Sequence, residues 1–176
     1  MTNEKNMNKK RKLMEQLARL MEEEKEDLYR YACYRLGDEA EAEDVLQEVF
    51  LALCDKAHLL AEVENMRNYL FRTLTNQCGM LLRNRQKRME MECDNIEQLQ
   101  VHDLAPQDFE QEFRLIDRLL GEIPVEQSEV IRLHIHGGRT FADIASILNE
   151  PLPTVKARYR YGIEKLRRMT GNDKLY

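Results

Sequence analysis

The most chemically capable groups in this sequence are cations. From Arg139 to Arg168 the chain reads RTFADIASILNEPLPTVKARYRYGIEKLRR, and its second half holds Lys156, Arg158, Arg160, Lys165, Arg167 and Arg168, with Tyr159 and Tyr161 among them. Ammonium and guanidinium groups at this density neutralise phosphate, and the planar fork of arginine also reads base edges by paired hydrogen bonds. Catalytic sets are not visible. His134 and His136 lie two residues apart with no cysteine pair beside them, a poor zinc pattern. There is no Ser/His/Asp set and no phosphate-binding loop. The expected class is a binding protein, not an enzyme, with no cofactor and no metal.

Two short helices must position these cations. Thr140 is a natural N-cap with Asp143 three residues on, a short capping box. Phe141, Ile144, Ala145 and Leu148 then fall on one helical stripe. Asn149 tolerates the left-handed conformation that ends a helix, and Pro151 and Pro153 punctuate the turn. Val155, Tyr159, Gly162 or Ile163, and Leu166 carry the apolar stripe of the second helix. Lys156, Ala157, Arg160 and Tyr161 lie on its other face. A tight turn before a basic helix is the helix-turn-helix pattern, whose second helix fits the DNA major groove. A solvated basic face on an ordinary helical hairpin would read the same way from this stretch alone.

Bulk composition narrows the choice. The chain has 176 residues, enough for one domain or two small ones, with 43% apolar and 34% charged residues. No apolar run approaches the roughly 20 residues that span a bilayer. The first residues, MTNEKNMNKKRKLMEQ, lack the apolar segment of a secretory signal. Cys33, Cys54, Cys78 and Cys93 form no CxxC pair. The first three are expected as free thiols inside helices, in keeping with a reducing cytoplasm. Net charge is −5, yet it is unevenly spread. Residues 65–88 hold six basic and no acidic groups, and residues 128–176 hold nine basic and five acidic. Acidic blocks lie between and before them. Polyanion binding depends on such local patches, not on the total.

In chain order, Leu13, Leu17, Leu20 and Met21 predict a first helix. Leu28, Ala32 and Leu36 continue into a helix that stops at Gly37, and Asp38 with Glu41 caps the next. Ala42, Val45, Leu46, Val49, Phe50 and Leu53 form its apolar stripe, opposite Glu43, Asp44, Gln47 and Glu48. Asn65 caps a helix that buries Met66, Leu70, Leu74, Cys78 and Leu81, with Arg67, Asn68, Arg72, Asn76 and the run RNRQKR on its polar side. Cations with Tyr69 beside them suit single-stranded DNA, where a base stacks while the backbone is neutralised. Residues from about 89 onward are acidic and aperiodic, and read as a linker. Phe109, Phe113, Ile116 and Leu120 open a second helical unit, which Gly121 and Pro124 break and which leads to the turn His136-Gly137-Gly138. The expected fold is all-α, two small helical domains joined by a flexible acidic linker: residues 1–90, a linker over 91–111, and a helix-turn-helix domain over 112–176.

Two stretches together resemble a known family. LYRYACYRLGDEAEAEDVLQEVFLAL, followed by NMRNYLFRTLTNQCGMLLRNRQKR, is similar to the first domain of extracytoplasmic-function RNA polymerase sigma factors, in the sigma-70 family. IPVEQSEVIRLHIHGGRTFADIASILNEPLPTVKARYRYGIEKLRR is similar to their last domain, with its glycine turn, its (S/T)-aromatic-x-x-I-A helix and a TVKSR-like start to the next. The resemblance implies a cytoplasmic protein that directs core RNA polymerase to promoters and helps open them. Asp44, Gln47 and Glu48 match the face that docks on polymerase. Asn65, Arg67, Asn68, Tyr69, Arg72, Asn76, Arg83 and Arg85 match the surface that opens the minus-10 element. His134, Arg139, Thr140, Thr154, Lys156, Ala157, Arg158, Arg160 and Tyr161 match the minus-35 reader. The implied partners are core RNA polymerase, promoter DNA and, as for many members, an anti-sigma factor.

The sequence departs from the family at Tyr69, where Trp is common, at Asn149-Glu150-Pro151, where Gly-Ile-Ser is usual, and at Ala157, where Ser is usual. A stand-alone helix-turn-helix regulator and a helical adaptor without a DNA role are the competing readings. The alternating acidic and basic blocks also raise the expectation that the modules close on each other, or on an inhibitor, when idle.

Overall fold

A computed structural model of the chain describes residues 2–56, 60, 63–92 and 115–170. These form α1 (Thr2–Glu23), α2 (Lys25–Leu36), α3 (Glu39–Asp55), α4 (Met66–Glu92), α5 (helical residues 115–121), α6 (Val125–Ile135), α7 (Phe141–Leu148) and α8 (Leu152–Thr170). The architecture among the described residues is helical throughout, in two sets, as the sequence predicts.

Capping chemistry sets the boundaries. Gly37 closes α2 in the left-handed region at φ 75°, its N–H donating to Cys33 O. The Asp38 carboxylate accepts the Glu41 N–H at 2.8 Å, and Asn65 Oδ1 accepts the Asn68 N–H at 3.0 Å. Thr140 and Asp143 complete a reciprocal capping box, and Asn149 ends α7 at φ 55°. One boundary differs from expectation: α4 continues through residues 89–92, where the sequence reads as linker. Met and Glu are good helix formers, and Gln86 Nε2 donates to Glu90 Oε1 one turn on at 3.0 Å. The remainder of the expected linker, Cys93, Phe109, Phe113 and the tail after Thr170 lie outside the described residues.

Leu17, Leu28, Tyr31, Val45, Val49, Leu70, Phe71 and Leu74 close the core of α1–α4. Val130, Leu133, Ile144, Ile147 and Val155, from the helix-turn-helix set, belong to the same continuous cluster. α7 lies on α4, and α6 lies against α2. A smaller cluster of Leu120, Ile123 and Ile131, joined by Ile163 and Leu166, ties α5 and α6 to α8. Gly162 allows that approach, since a Cβ there would sit 2.7 Å from Ile131 Cδ1. Cys33 and Cys78 are buried free thiols and Cys54 is half-buried. Burial, with the nearby Glu129 charge adding to it, pushes Cys78 up to about 12, which leaves it an inert core residue.

Candidate nucleic-acid interface and polymerase face

The acidic face of α3 is built by simple periodicity. Val45 and Val49 point into the core, which turns Asp44, Gln47 and Glu48 to solvent. Leu51 follows three residues after Glu48 on the same side and is 62% exposed. Leu51, Phe50 and Leu46 border a groove of about 460 Å³ between α1 and α3, with Met21 on its far wall. Leu51 was not singled out from the sequence. Its signal was an apolar side chain falling on the acidic face instead of on the buried stripe.

α4 presents the residues expected on its polar side in three different states. Asn76 and Arg83 are exposed. Arg85 donates to Leu36 O at 3.3 Å and pairs with Glu41, so it braces α2 and α3. Of the others, Arg67 and Arg72 meet neighbouring helices. Asn65 caps α4, Arg67 Nε lies 2.6 Å from Glu24, and Tyr69 is half-buried. Asn68 is buried, and its backbone N–H donates to Asn65 Oδ1 at 3.0 Å. Arg72 Nε–H donates to Ile147 O at 3.1 Å, and its terminal nitrogen donates to Ser146 O.

The helix-turn-helix splits its predicted residues in a similar way. Lys156, Arg160 and Tyr161 are exposed on α8, with Thr154, Ala157 and Arg158 half-buried beside them. Arg160 donates to the Tyr161 hydroxyl at 3.1 Å and packs 4.9 Å from its ring centroid. Arg158 pairs with Glu150 of the turn at 3.1 Å. His134 faces inward: its Nδ1 is 2.7 Å from Arg139 O, and its ring stacks on Phe141 at 4.5 Å. Thr140 is committed to the α7 cap. Arg139 is buried. It lies 2.8 Å from Glu24 and 3.1 Å from Asp27, donates from Nε to Gly137 O at 2.7 Å, and sits 4.3 Å over the Phe71 ring.

A second set of contacts joins α2 to α6. Glu129 accepts the Tyr31 hydroxyl and pairs with Arg35 at 2.8 Å. Arg132 Nε–H donates to Tyr34 O at 3.0 Å, and its other end reaches Asp117 at 3.3 Å. The His136 and Tyr34 rings stack at 3.6 Å, 4° from parallel. Burial, and then the Glu129 charge, raises the Tyr31 phenol well above its ordinary range, so it remains a donor. Burial, helped by Arg132 and Arg30, lowers His136 to about 4, so the stacked ring is neutral near pH 7. Sequence periodicity gave no sign of Glu24, Asp27, Glu129 or Arg132 as partners, because each pairs with a residue far away along the chain or on another module.

Among the described residues no group of three His, Cys, Asp or Glu is placed to hold a metal. None of their helices is long and apolar enough to cross a membrane. The model for Sigma-70 region 2 matches residues 20–88, and that for Sigma-70, region 4 matches residues 119–168. Together they span more than half of the chain, which belongs to the sigma-70 family of RNA polymerase sigma factors. It is therefore a transcription initiation factor whose domains bind core polymerase and promoter DNA. The order of the two regions is the one expected of the extracytoplasmic-function group.

Solved structures agree in fold. The sigma factor RpoE, in complex with the anti-sigma factor NepR from Bartonella quintana, is 20% identical with a TM-score of 0.66, covering 91% of this chain and 97% of that one. CnrH, in complex with the cytosolic domain of CnrY, is 20% identical with a TM-score of 0.68, covering 94% of this chain and 99% of that one. No curated protein matches in sequence.

Proposed function

We propose that this sigma factor divides its work among three surfaces. Asp44, Gln47 and Glu48 dock on core polymerase, with Leu51 adding an apolar contact beside them. Asn65, Arg67, Asn68, Tyr69, Arg72, Asn76, Arg83 and Arg85 receive the minus-10 strand. The helix-turn-helix reads the minus-35 duplex, with Lys156, Ala157, Arg160 and Tyr161 toward the bases and His134, Arg139, Thr140, Thr154 and Arg158 around them. The modules are residues 1–90 and 112–176, with 91–111 as the tether. The protein works in the cytoplasm as a non-catalytic polymerase subunit.

The observation that carries this reading is the outward Lys156–Arg160–Tyr161 face of α8 in a chain that also holds the basic α4. A duplex reader and a single-strand surface in one protein are what promoter opening requires. We also propose an anti-sigma partner, because the neighbouring sigma factor RpoE was solved in complex with the anti-sigma factor NepR. The test is a pull-down with bacterial core polymerase, followed by run-off transcription from DNA upstream of the protein's own gene. Binding with a defined start site is expected. Tight, sequence-specific duplex binding with no affinity for polymerase would instead establish a stand-alone regulator.

A further inference from the structure

Two arginines in the first half of α8 have opposite partners. Arg160 rests on the Tyr161 hydroxyl, a neutral group, and keeps its full charge. Arg158 Nη2 lies 3.1 Å from Glu150 Oε1, and the two side chains are 27% and 32% exposed. Glu150 belongs to the turn before α8, where the sequence departs from the usual Gly-Ile-Ser. Its backbone is fixed, because the Glu150 N–H donates to Ala145 O at 2.9 Å just after the left-handed Asn149. At about 100° per residue, Lys156, Ala157, Arg160 and Tyr161 fall on one side of α8, and the buried Val155 and Gly162 fall on the other with Tyr159. Arg158 falls on the flank between Tyr161 and Gly162. When a reading helix lies in the major groove, its flank runs beside the phosphate backbone. A free cation there adds attraction that carries no sequence information.

We infer that Glu150 is a positioning residue of the helix-turn-helix: its carboxylate holds the Arg158 guanidinium at the turn and cancels its charge, which lowers the sequence-independent part of duplex affinity. This rests on the assignment of α8 to the minus-35 duplex. Each phosphate neutralised by a cation adds about 0.9 to the salt slope, and an arginine already paired adds none. Among the described residues no carboxylate pairs with Lys156 or Arg160, so the cancellation spares the reading face. A weak duplex grip leaves promoter occupancy dependent on the second module, since two tethered weak contacts act together. A carboxylate near the start of α8 also suits the helix dipole. That role moves the melting temperature and leaves the salt dependence of DNA binding alone.

The test uses holoenzyme assembled from core polymerase and the full chain. Fluorescence anisotropy follows its binding to a duplex that carries the minus-35 element without the minus-10 element, and to a scrambled counterpart, at several salt concentrations. Glu150→Gln should tighten binding to both duplexes by roughly fivefold near 0.1 M salt and steepen the salt slope by about one. The ratio between the two affinities should stay as in wild type. Glu150→Asp keeps the carboxylate and should restore most of the wild-type slope. Glu150→Gln combined with Arg158→Gln should lose both the gain and the extra slope.

An unchanged slope in Glu150→Gln would overturn this role, and so would a lower melting temperature with equal slopes. A gain that persists in the double variant would mean that the carboxylate repels phosphate directly and does not act through Arg158. A loss confined to the correct duplex would make Glu150 a base reader instead. Wild-type holoenzyme with no preference between the two duplexes would remove the minus-35 assignment itself, and this role with it.

Discussion

The Nε–H of Arg72, in the body of α4, donates to the carbonyl oxygen of Ile147 in the last turn of α7 at 3.1 Å. The last carbonyls of a helix lack intrahelical partners, and a cation there also meets the negative end of the helix dipole. Arg72 also reaches Ser146 O, which the Asn149 N–H shares at 3.4 Å. Arg72→Ala should therefore destabilise the folded chain by about 2 kcal/mol, the scale of a hydrogen bond to a charged group. Arg72→Lys should recover part of that, because a single ammonium does not reproduce the two-nitrogen reach. Urea unfolding followed by circular dichroism reads both, and an unmoved midpoint for the alanine variant would mean that the contact is not made in solution.

Gly138 stands against Asp27 of α2. Its φ of 63° lies in the left-handed region, and a Cβ would fall 2.7 Å from Asp27 Oδ2. An L side chain in that conformation costs roughly 1–2 kcal/mol, and the clash also pushes Asp27 off Arg139. Gly138→Ala should lower the melting temperature. Gly121→Ala, which meets nothing within 4 Å, should hold or raise it, because alanine is favoured over glycine in a helix. Equal melting of the two variants would contradict this packing.

His136 should make the folded chain sensitive to acid. Its folded pKa, lowered from 6.5 to about 4 by burial and then by Arg132 and Arg30, lies below its unfolded value. Below pH 6.5 the unfolded chain takes up the proton first. The contribution is thus complete above pH 6.5 and is lost as pH falls toward 4. By linkage it amounts to roughly 3 kcal/mol at most. His136→Phe keeps a ring against Tyr34 and removes the titration. Stability measured against pH should fall more steeply for wild type than for this variant between pH 6.5 and 4. Parallel curves would mean that the buried imidazole titrates normally.

The helices and their ends were legible because capping is local. Gly37, Asp38, Asn65, Thr140 with Asp143, and Asn149 each announce a boundary within three or four residues. The exposed face of α8 was legible too, because Val155 and Gly162 had to be buried for the stripe to pack. What escaped was pairing over distance. Arg139 reads as a phosphate-binding cation, and nothing near it in sequence says that Glu24 and Asp27 will hold it. Glu129 and Arg132 look like ordinary polar residues of an amphipathic helix, yet both are buried against α2. Periodicity reports that a residue faces inward, not which module it meets there.

Asp44 and Glu48 are exposed on α3, and surface charges away from networks affect stability by about 0.5 kcal/mol or less. Reversal of both to lysine should leave the helical spectrum and melting temperature near wild type while abolishing binding to core polymerase. Leu51→Ala should weaken the same binding with its charges intact, since the leucine is 62% exposed beside that face. Retained polymerase affinity in the double reversal would remove α3 as the docking surface.

Arg160 and Tyr161 separate binding strength from readout. The Arg160 guanidinium donates to the Tyr161 hydroxyl at 3.1 Å and packs 4.9 Å from its ring centroid, so the phenol holds the arginine fork in place on an exposed face. Arg160→Ala should weaken minus-35 duplex binding by about 1–3 kcal/mol if the fork reaches a base. A pure phosphate contact would lose less and lower the salt slope by about one instead. Tyr161→Phe keeps the ring and removes only the accepting oxygen. It should leave nonspecific affinity unchanged and reduce the discrimination between the correct minus-35 sequence and a scrambled one. Anisotropy titrations at two salt concentrations, on the promoter defined by run-off transcription, distinguish the cases. If Tyr161→Phe lowers affinity equally on both sequences, the hydroxyl contributes to general attraction and the arginine is positioned by other contacts.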